Sequence, residues 1–245
     1  VMSTNYVYSK KLFSACARAG VSFIYASSAS VYGREGPFRE SGEGEKPLNA
    51  YAYSKFLFDR YVNAERANIS NQVVGLRYFN VYGPREDHKS RMASVAWHIV
   101  AQYHEGGAVR LFDGSGGYGP GEQRRDFVHV QDVARVNLFF LDSPSISGIF
   151  NVGTGVSRSF NDVALVAINA CRDVDGDAPL SLSDAQSQKV LSYFPMPEAL
   201  AGKYQSFTEA SIDQLKSVGY STPWTSLEDG VAGYARQRYQ ALKAN

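Results

Sequence analysis

A chain of 245 residues that carries 25 Lys and Arg against 24 Asp and Glu has no net field to draw it to nucleic acid or to an anionic membrane. Hydrophobic residues make up 44%, enough for a core, and no uninterrupted apolar run approaches the length of a membrane span. Cys16 and Cys171 stand alone in predicted helices and read as buried small hydrophobes; without Cys-x-x-Cys or clustered histidines, neither a disulfide framework nor a metal site is implied.

The predicted elements alternate from the start. Asn5 to Ala19 reads as a helix, Val21 to Ala26 as a buried strand, Ala50 to Ala67 as a long helix and Val73 to Asn80 as a second apolar strand. Strand, helix and strand in that order make a parallel βαβ unit, whose ligands sit beyond the carboxyl ends of the strands. Arg91 to Glu105 is an amphipathic helix ended by Gly106-Gly107. Val109 to Phe112 and Phe127 to Val130 are short strands flanking a flexible turn, Gly114 to Gly121, and Asp132 is placed to cap a helix through Leu141. Ile149 to Val152 is another strand, and Ser159 caps a helix to about Asp173 with Asp162 at the capping-box position. Thr208 to Val218 and Ser226 to Leu242 close the pattern as helices, each opening on a hydroxyl cap. The class is α/β, with two lobes of one catalytic unit: 1–83 joined by segments near 127–155, and a smaller mixed lobe from 84–126 and 156–245.

The chemistry concentrates in Tyr51-Ala52-Tyr53-Ser54-Lys55. A phenol and an ammonium four residues apart leave the same helical face, and a cation beside a phenol favours the phenolate, which can exchange a proton with a hydroxyl. A solvated helix face is the competing account, because tyrosine occurs 16 times in the chain. The flanks favour chemistry. Val21 to Gly33 (VSFIYASSASVYG) is a buried strand running into small hydroxylated residues and a Tyr-Gly turn, and Val73 to Pro84 (VVGLRYFNVYGP) ends in Asn80, Gly83 and Pro84.

Further blocks accompany these: NYVYSKKLF at Asn5 to Phe13, EKPLNAYAYSKFLFD at Glu45 to Asp59, and LRYFNVYGPREDHKSRMASVAWH at Leu76 to His98. RRDFVHVQDVARVNLFFL at Arg124 to Leu141, SGIFNVGTG at Ser147 to Gly155 and GKYQSFT at Gly202 to Thr208 continue them. Together they resemble the extended short-chain dehydrogenase/reductases, the NAD-dependent epimerases and dehydratases of nucleotide-activated sugars, and within these the heptose-epimerase branch. The fold implied is a Rossmann-type doubly wound parallel sheet with a smaller substrate lobe. Members open with a strand, a Gly-x-x-Gly-x-x-Gly turn and a helix that hold the cofactor pyrophosphate. No such turn precedes Tyr51, and the chain is expected to be the carboxyl-terminal two-thirds of a longer enzyme, with about 80–100 residues before it, one half of a doubly wound sheet.

The resemblance implies NADP as cofactor, with NAD the alternative, and ADP-D-glycero-β-D-manno-heptose as substrate, inverted at C6 for the lipopolysaccharide inner core in the cytoplasm of a Gram-negative bacterium. Tyr51 would be the acid/base, Lys55 would also bind the nicotinamide ribose, and Ser28 would position the substrate oxygen; a strand-end turn serine is the other reading of Ser28. Lys89, behind Gly83-Pro84-Arg85-Glu86, would be a second acid/base opposite the tyrosine, because a transient carbonyl must form on one face and be re-reduced on the other. Without that segment Lys89 would read as a solvated loop lysine. Asn80 and Val81 would meet the ligands from the second strand end, Val81 and Asn5 on the cofactor side; a buried asparagine satisfying a turn competes for both asparagines. His98 matches a substrate-binding histidine or is structural.

For the nucleotide, the resemblance implies an arginine fork from Arg125 on the diphosphate, the Phe112-Asp113-Gly114-Ser115 turn around base and ribose, and Tyr204 closing the site, with Arg124 solvated. Gly117 to Gly121 reads as an insertion beside that turn, and Arg91 stands where the family more often has a small hydroxyl residue. A UDP-hexose 4-epimerase or a dehydratase would share Tyr51, Lys55 and Ser28 without needing Lys89, and a cofactor-less binding protein would need none of them. A homo-oligomer, pentameric in the heptose branch, is the implied assembly.

Overall fold

The computed structural model describes residues 1–34, 36–198 and 204–244. The chain divides into two units, Val1–Phe79 with Val133–Val156 and Thr208–Pro223, and Asn80–Asp132 with Ser157–Phe207 and Trp224–Asn245. The boundaries fall at 79/80, 132/133, 156/157, 207/208 and 223/224, so that 127–132 belongs to the second unit and 208–223 to the first.

In the first unit three strands, β1 (Phe23–Ser28), β2 (Val73–Tyr78) and β6 (Gly148–Val152), form one parallel sheet in the order β1-β2-β6. Their carboxyl ends are level: Ser28 pairs with Tyr78, and Tyr78 with Val152. β2 is buried along its length up to Arg77, as a central parallel strand covered on both faces must be. Between β1 and β2 runs α2 (Ala50–Glu65), started by Asn49, whose side chain accepts the Ala52 N–H at 2.9 Å. α1 (Ser9–Ala19) ends on Gly20 in the left-handed conformation. Phe13 of α1, Phe58 and Val62 of α2, and Phe23, Tyr25 and Val73 of the sheet make one core, with edge-on ring contacts such as Tyr25 to Phe58 at 4.8 Å.

Among the described residues the second unit has two small sheets. β5 (Arg124–His129) pairs in parallel with β3 (Asn80–Tyr82) and antiparallel with β7 (Ser157–Ser159), and β4 (Val109–Phe112) pairs in parallel with β8 (Leu191–Phe194). Its core is built by α3 (Val95–Gly106), α5 (Phe160–Asp175) and α8 (Leu227–Lys243), through residues such as Ile99, Val100, Ala167, Ile168, Val231 and Ala235. Ser159 and Asp162 form the expected capping box at the start of α5, and Ser226 caps α8. Ser159 is also the last residue of β7, so strand and cap share one residue.

Several expectations need correction. The strand from Val73 stops at Tyr78: Phe79 still donates to Val152 O at 3.0 Å, but Asn80 opens a separate strand in another sheet. α3 begins at Val95, behind a Ser94 cap, because Asp87–Met92 forms a 3-10 turn with Ser90 at φ 50° and ψ −129°. α4 (Val130–Leu141) begins before Asp132, whose buried carboxylate accepts from Thr225 N and Oγ1. No helix starts at Thr208: the helix there is α7 (Asp213–Ser217). α6 (Leu182–Ser187) and β8 were unforeseen, as each is short and weakly patterned. Cys171 is buried as expected and Cys16 only half so. No described helix is long and apolar enough to cross a membrane.

Candidate active site

At the carboxyl end of β1, Ser28 turns the chain into a 3-10 turn (Ala29–Val31) by accepting the Ser30 N–H at 3.2 Å. That is the strand-end role foreseen as an alternative, and it leaves the hydroxyl hydrogen available. Tyr51, in the first turn of α2, is 46% exposed. Lys55, one turn on, places Nζ 6.0 Å from the Tyr51 ring centroid and donates to Ala26 O at 2.9 Å, so the ammonium is docked two residues before Ser28. Burial lowers the Lys55 pKa from its ordinary value, and the charge of Asp59 opposes that shift. One hydrogen bond uses one of three ammonium donors, so Lys55 retains donors for vicinal hydroxyls such as those of a ribose. Asn5 is half-buried and donates to Ser54 Oγ at 3.1 Å, and Ser54 in turn donates to Tyr51 O at 2.6 Å.

Beneath this helix lies a buried ion network that the sequence reading missed. Asp59, fully buried on α2, accepts from Tyr25 OH and Ser27 Oγ, both at 2.9 Å, and from Arg77 Nε at 2.8 Å. Arg77, 1% exposed, also donates to Tyr32 OH at 3.0 Å and Glu45 Oε1 at 2.5 Å, and Tyr32 donates to Asn151 Oδ1 at 2.7 Å. Burial works against the guanidinium charge, but the oxygens of Tyr32, Asp59 and Glu45 outweigh it and raise the Arg77 pKa. Gly75 leaves the space: a Cβ there would lie 2.5 Å from the Tyr25 hydroxyl. The signal was present, since an arginine inside the apolar run VVGLRYF requires buried partners.

In the second unit Asn80 is exposed and Val81 half-buried on β3, so the buried-asparagine account does not fit Asn80. Lys89 lies in the loop after Gly83, with its side chain 41% exposed and Nζ 3.5 Å from Glu86 Oε2. His98 is half-buried on α3; its N–H bonds Ser94 O and its ring meets Trp97 edge-on at 5.0 Å. Arg91 is exposed in the same loop.

The residues expected around a nucleotide gather in this unit. Phe112 ends β4 with its ring 5.0 Å from Phe194 and 6.1 Å from Tyr204, and the buried guanidinium of Arg125 lies 4.8 Å over Tyr204 and 5.8 Å from the Phe160 ring. Burial lowers the Arg125 pKa, with Tyr204 and Tyr118 opposing it. The Asp113 to Gly121 turn is held by Gln123, which donates to Asp113 O at 2.7 Å and Ser115 Oγ at 3.1 Å and was not foreseen. At Gly114 a Cβ would lie 2.4 Å from Tyr118 O, so the turn closes on itself only with glycine there. Arg124 is not solvated: it is half-buried and donates to Ser157 O at 2.6 Å, tying β5 to β7. Gly202 and Lys203, in the block that carries Tyr204, lie outside the described residues. Among the described residues no group of His, Cys, Asp and Glu could hold a metal ion.

A profile described as the NAD dependent epimerase/dehydratase family matches residues 1–153. The chain belongs to this family. It is 54% identical to ADP-L-glycero-D-manno-heptose-6-epimerase of Thiobacillus denitrificans over 98% of its own length and 73% of the relative's. Among solved structures, the ADP-L-glycero-D-manno-heptose-6-epimerase of Helicobacter pylori superposes with a TM-score of 0.78 at 31% identity, covering 100% of this chain and 67% of that one. Thermus thermophilus UDP-glucose 4-epimerase, solved with NAD, gives 0.73 at 26% identity, covering 98% and 70%. The family places β1, α2, β2 and β6 in a Rossmann-type α/β fold, and its chemistry is that of NAD-dependent isomerases and dehydratases.

Proposed function

We propose that this protein inverts C6 of ADP-D-glycero-β-D-manno-heptose to give ADP-L-glycero-β-D-manno-heptose, a step toward the lipopolysaccharide inner core. The observation that carries this reading is the 54% identity to a heptose epimerase, which runs over 241 residues and so through both units. A nicotinamide dinucleotide, NADP in this proposal, would supply when bound the hydride acceptor and donor for C6, and inversion follows where the transient aldehyde turns its other face before it is re-reduced. Tyr51 accepts the C6 hydroxyl proton as the carbonyl forms, Ser28 donates its unused hydrogen to the same oxygen, and Lys55 would turn its remaining donors to the cofactor ribose. Asn5 and Val81 bind on the cofactor side, and Asn80 and His98 bind the sugar. Lys89 is the acid/base for the opposite face: it gives the C6 oxygen its proton on re-reduction, and solvent then returns a proton to Lys89 and takes one from Tyr51. Arg125 binds the diphosphate, and Phe112, Asp113, Gly114, Ser115 and Tyr204 hold the adenosine; a guanidinium already stacked on an aromatic ring is suited to phosphate oxygens. A cytoplasmic homo-oligomer completes the proposal.

The test is turnover of the ADP-heptose and of UDP-glucose with NADP and with NAD, in the wild type and in Lys89→Met. The expected outcome is turnover of the heptose alone, preference for NADP, and a loss of about 10²-fold or more in kcat on losing Lys89. Turnover of UDP-glucose, unaffected by Lys89→Met, would replace this reading with a hexose 4-epimerase.

A further inference from the structure

The loop from Gly83 to Ser94 has little regular structure, yet its conformation is tightly specified. Arg85 at φ 70° and Ser90 at φ 50° occupy backbone regions that non-glycine residues seldom adopt, and such angles persist only where the surroundings over-determine them. The surroundings here converge on one carboxylate. Glu86 is 3% exposed; Oε1 accepts from Gly83 N at 3.2 Å and Ser94 Oγ at 2.7 Å, and Oε2 accepts from Ser94 N at 2.8 Å. Both ends of the loop are thereby fastened to one side chain. Tyr234 of α8 also hydrogen-bonds to it.

Lys89 is the remaining partner. Its ammonium lies 3.5 Å from Glu86 Oε2, and its backbone N–H bonds Glu86 O at 2.9 Å, so main chain and side chain are both referred to the same residue. A buried carboxylate is costly unless each lone pair is engaged, and here the engaging donors bracket the lysine on both sides. We propose that Glu86 is the positioning residue for Lys89: its buried carboxylate closes the Gly83–Ser94 loop and fixes where the ammonium stands. This rests on the reading of Lys89 as an acid/base. Glu86 acts through Lys89, not on the substrate.

The test is a double-mutant cycle in the cofactor-loaded enzyme with Glu86→Gln, Lys89→Met and the pair, following kcat, KM and the thermal midpoint. Glu86→Gln should lower kcat on the order of 10²-fold, as expected for a misplaced reacting group, with KM little changed. In the Lys89→Met background it should lower kcat no further. Equal losses in both backgrounds would make Glu86 a fold anchor and overturn the proposal, as would full activity of Glu86→Gln beside an inactive Lys89→Met. A fully active Lys89→Met would instead remove the acid/base reading on which the proposal rests. If Glu86→Gln does not fold, Ser94→Gly removes one arm of the same clamp and largely keeps the helix cap; its loss in kcat must likewise vanish without Lys89, and an additive loss or none overturns the proposal.

Discussion

Tyr51 and Lys55 stand on a regular helix and Lys89 on an irregular loop, and the two regions are stiffened by different means. The helix is fastened from below, by Asp59 and Arg77 joining α2 to β1 and β2. The loop is fastened at its two ends, by a carboxylate of its own. In the first region the backbone of α2 is unstrained, Asp59 and Arg77 are wholly buried and Lys55 is half-buried; in the second the backbone is strained and the Lys89 side chain is 41% exposed. The lesson is that a side chain on a helix needs only the helix placed, whereas one on a loop needs every dihedral around it placed.

The comparison can be broken most severely at the reacting groups. Tyr51→Phe should lower kcat by about 10²- to 10⁴-fold, the usual weight of a general acid/base, with an unchanged thermal midpoint because the side chain is half exposed. Next, Arg77→Met strands the buried carboxylates of Asp59 and Glu45 and should cost about 3–5 kcal/mol in a denaturant titration, as removing one partner of a buried pair does. A loss under about 1 kcal/mol, the range of a surface ion pair, would show that the network is not what stiffens α2. Ser90→Gly releases the strained angle in the loop and should add about 1 kcal/mol in the same titration. No gain would mean that the strain is absent in solution.

The smallest expected effect concerns an ordinary capped helix and serves as the baseline. Burial pushes the Asp162 pKa up, but the Ser159 N–H and the Arg158 guanidinium outweigh it, leaving it below the usual carboxylate value. A depressed carboxylate contributes stability above its unfolded pKa, about 3.9, and loses it as pH falls through the folded value. Asp162→Asn should therefore cost roughly 0.5–1 kcal/mol at neutral pH, the scale of a cap, and nothing once the pH lies below the folded value. Denaturant midpoints across pH 2–7 would check it.

How much was legible follows the same division. The α2 cap at Asn49 aside, the helix carrying Tyr51 and Lys55 could be read from its periodicity and from the strands on either side, and the Ser159–Asp162 box from three-residue spacing alone. Arg77 was visible but unread, because its partners Tyr32, Glu45 and Asp59 are scattered along the sequence and only folding makes them neighbours. Asn80 was read as the last residue of the strand from Val73, with Val81 at its end, since an apolar run does not reveal that its pairing changes sheets after Phe79. Glu86 entered the sequence reading only as a member of the Gly83-Pro84-Arg85-Glu86 segment, because Gly83, Ser94 and Tyr234 close around it only in the fold.

The sequence by itself determined the α/β class, the parallel βαβ unit and the Tyr51–Lys55 pair, because hydrophobic period, caps and i,i+4 spacing are local and survive without tertiary contacts. Only the tertiary structure decided where the strand from Val73 ends, which charges are buried, and how the Lys89 loop runs. Those depend on partners distant in sequence, and a buried charge or a strained dihedral exists only when such partners hold it in place.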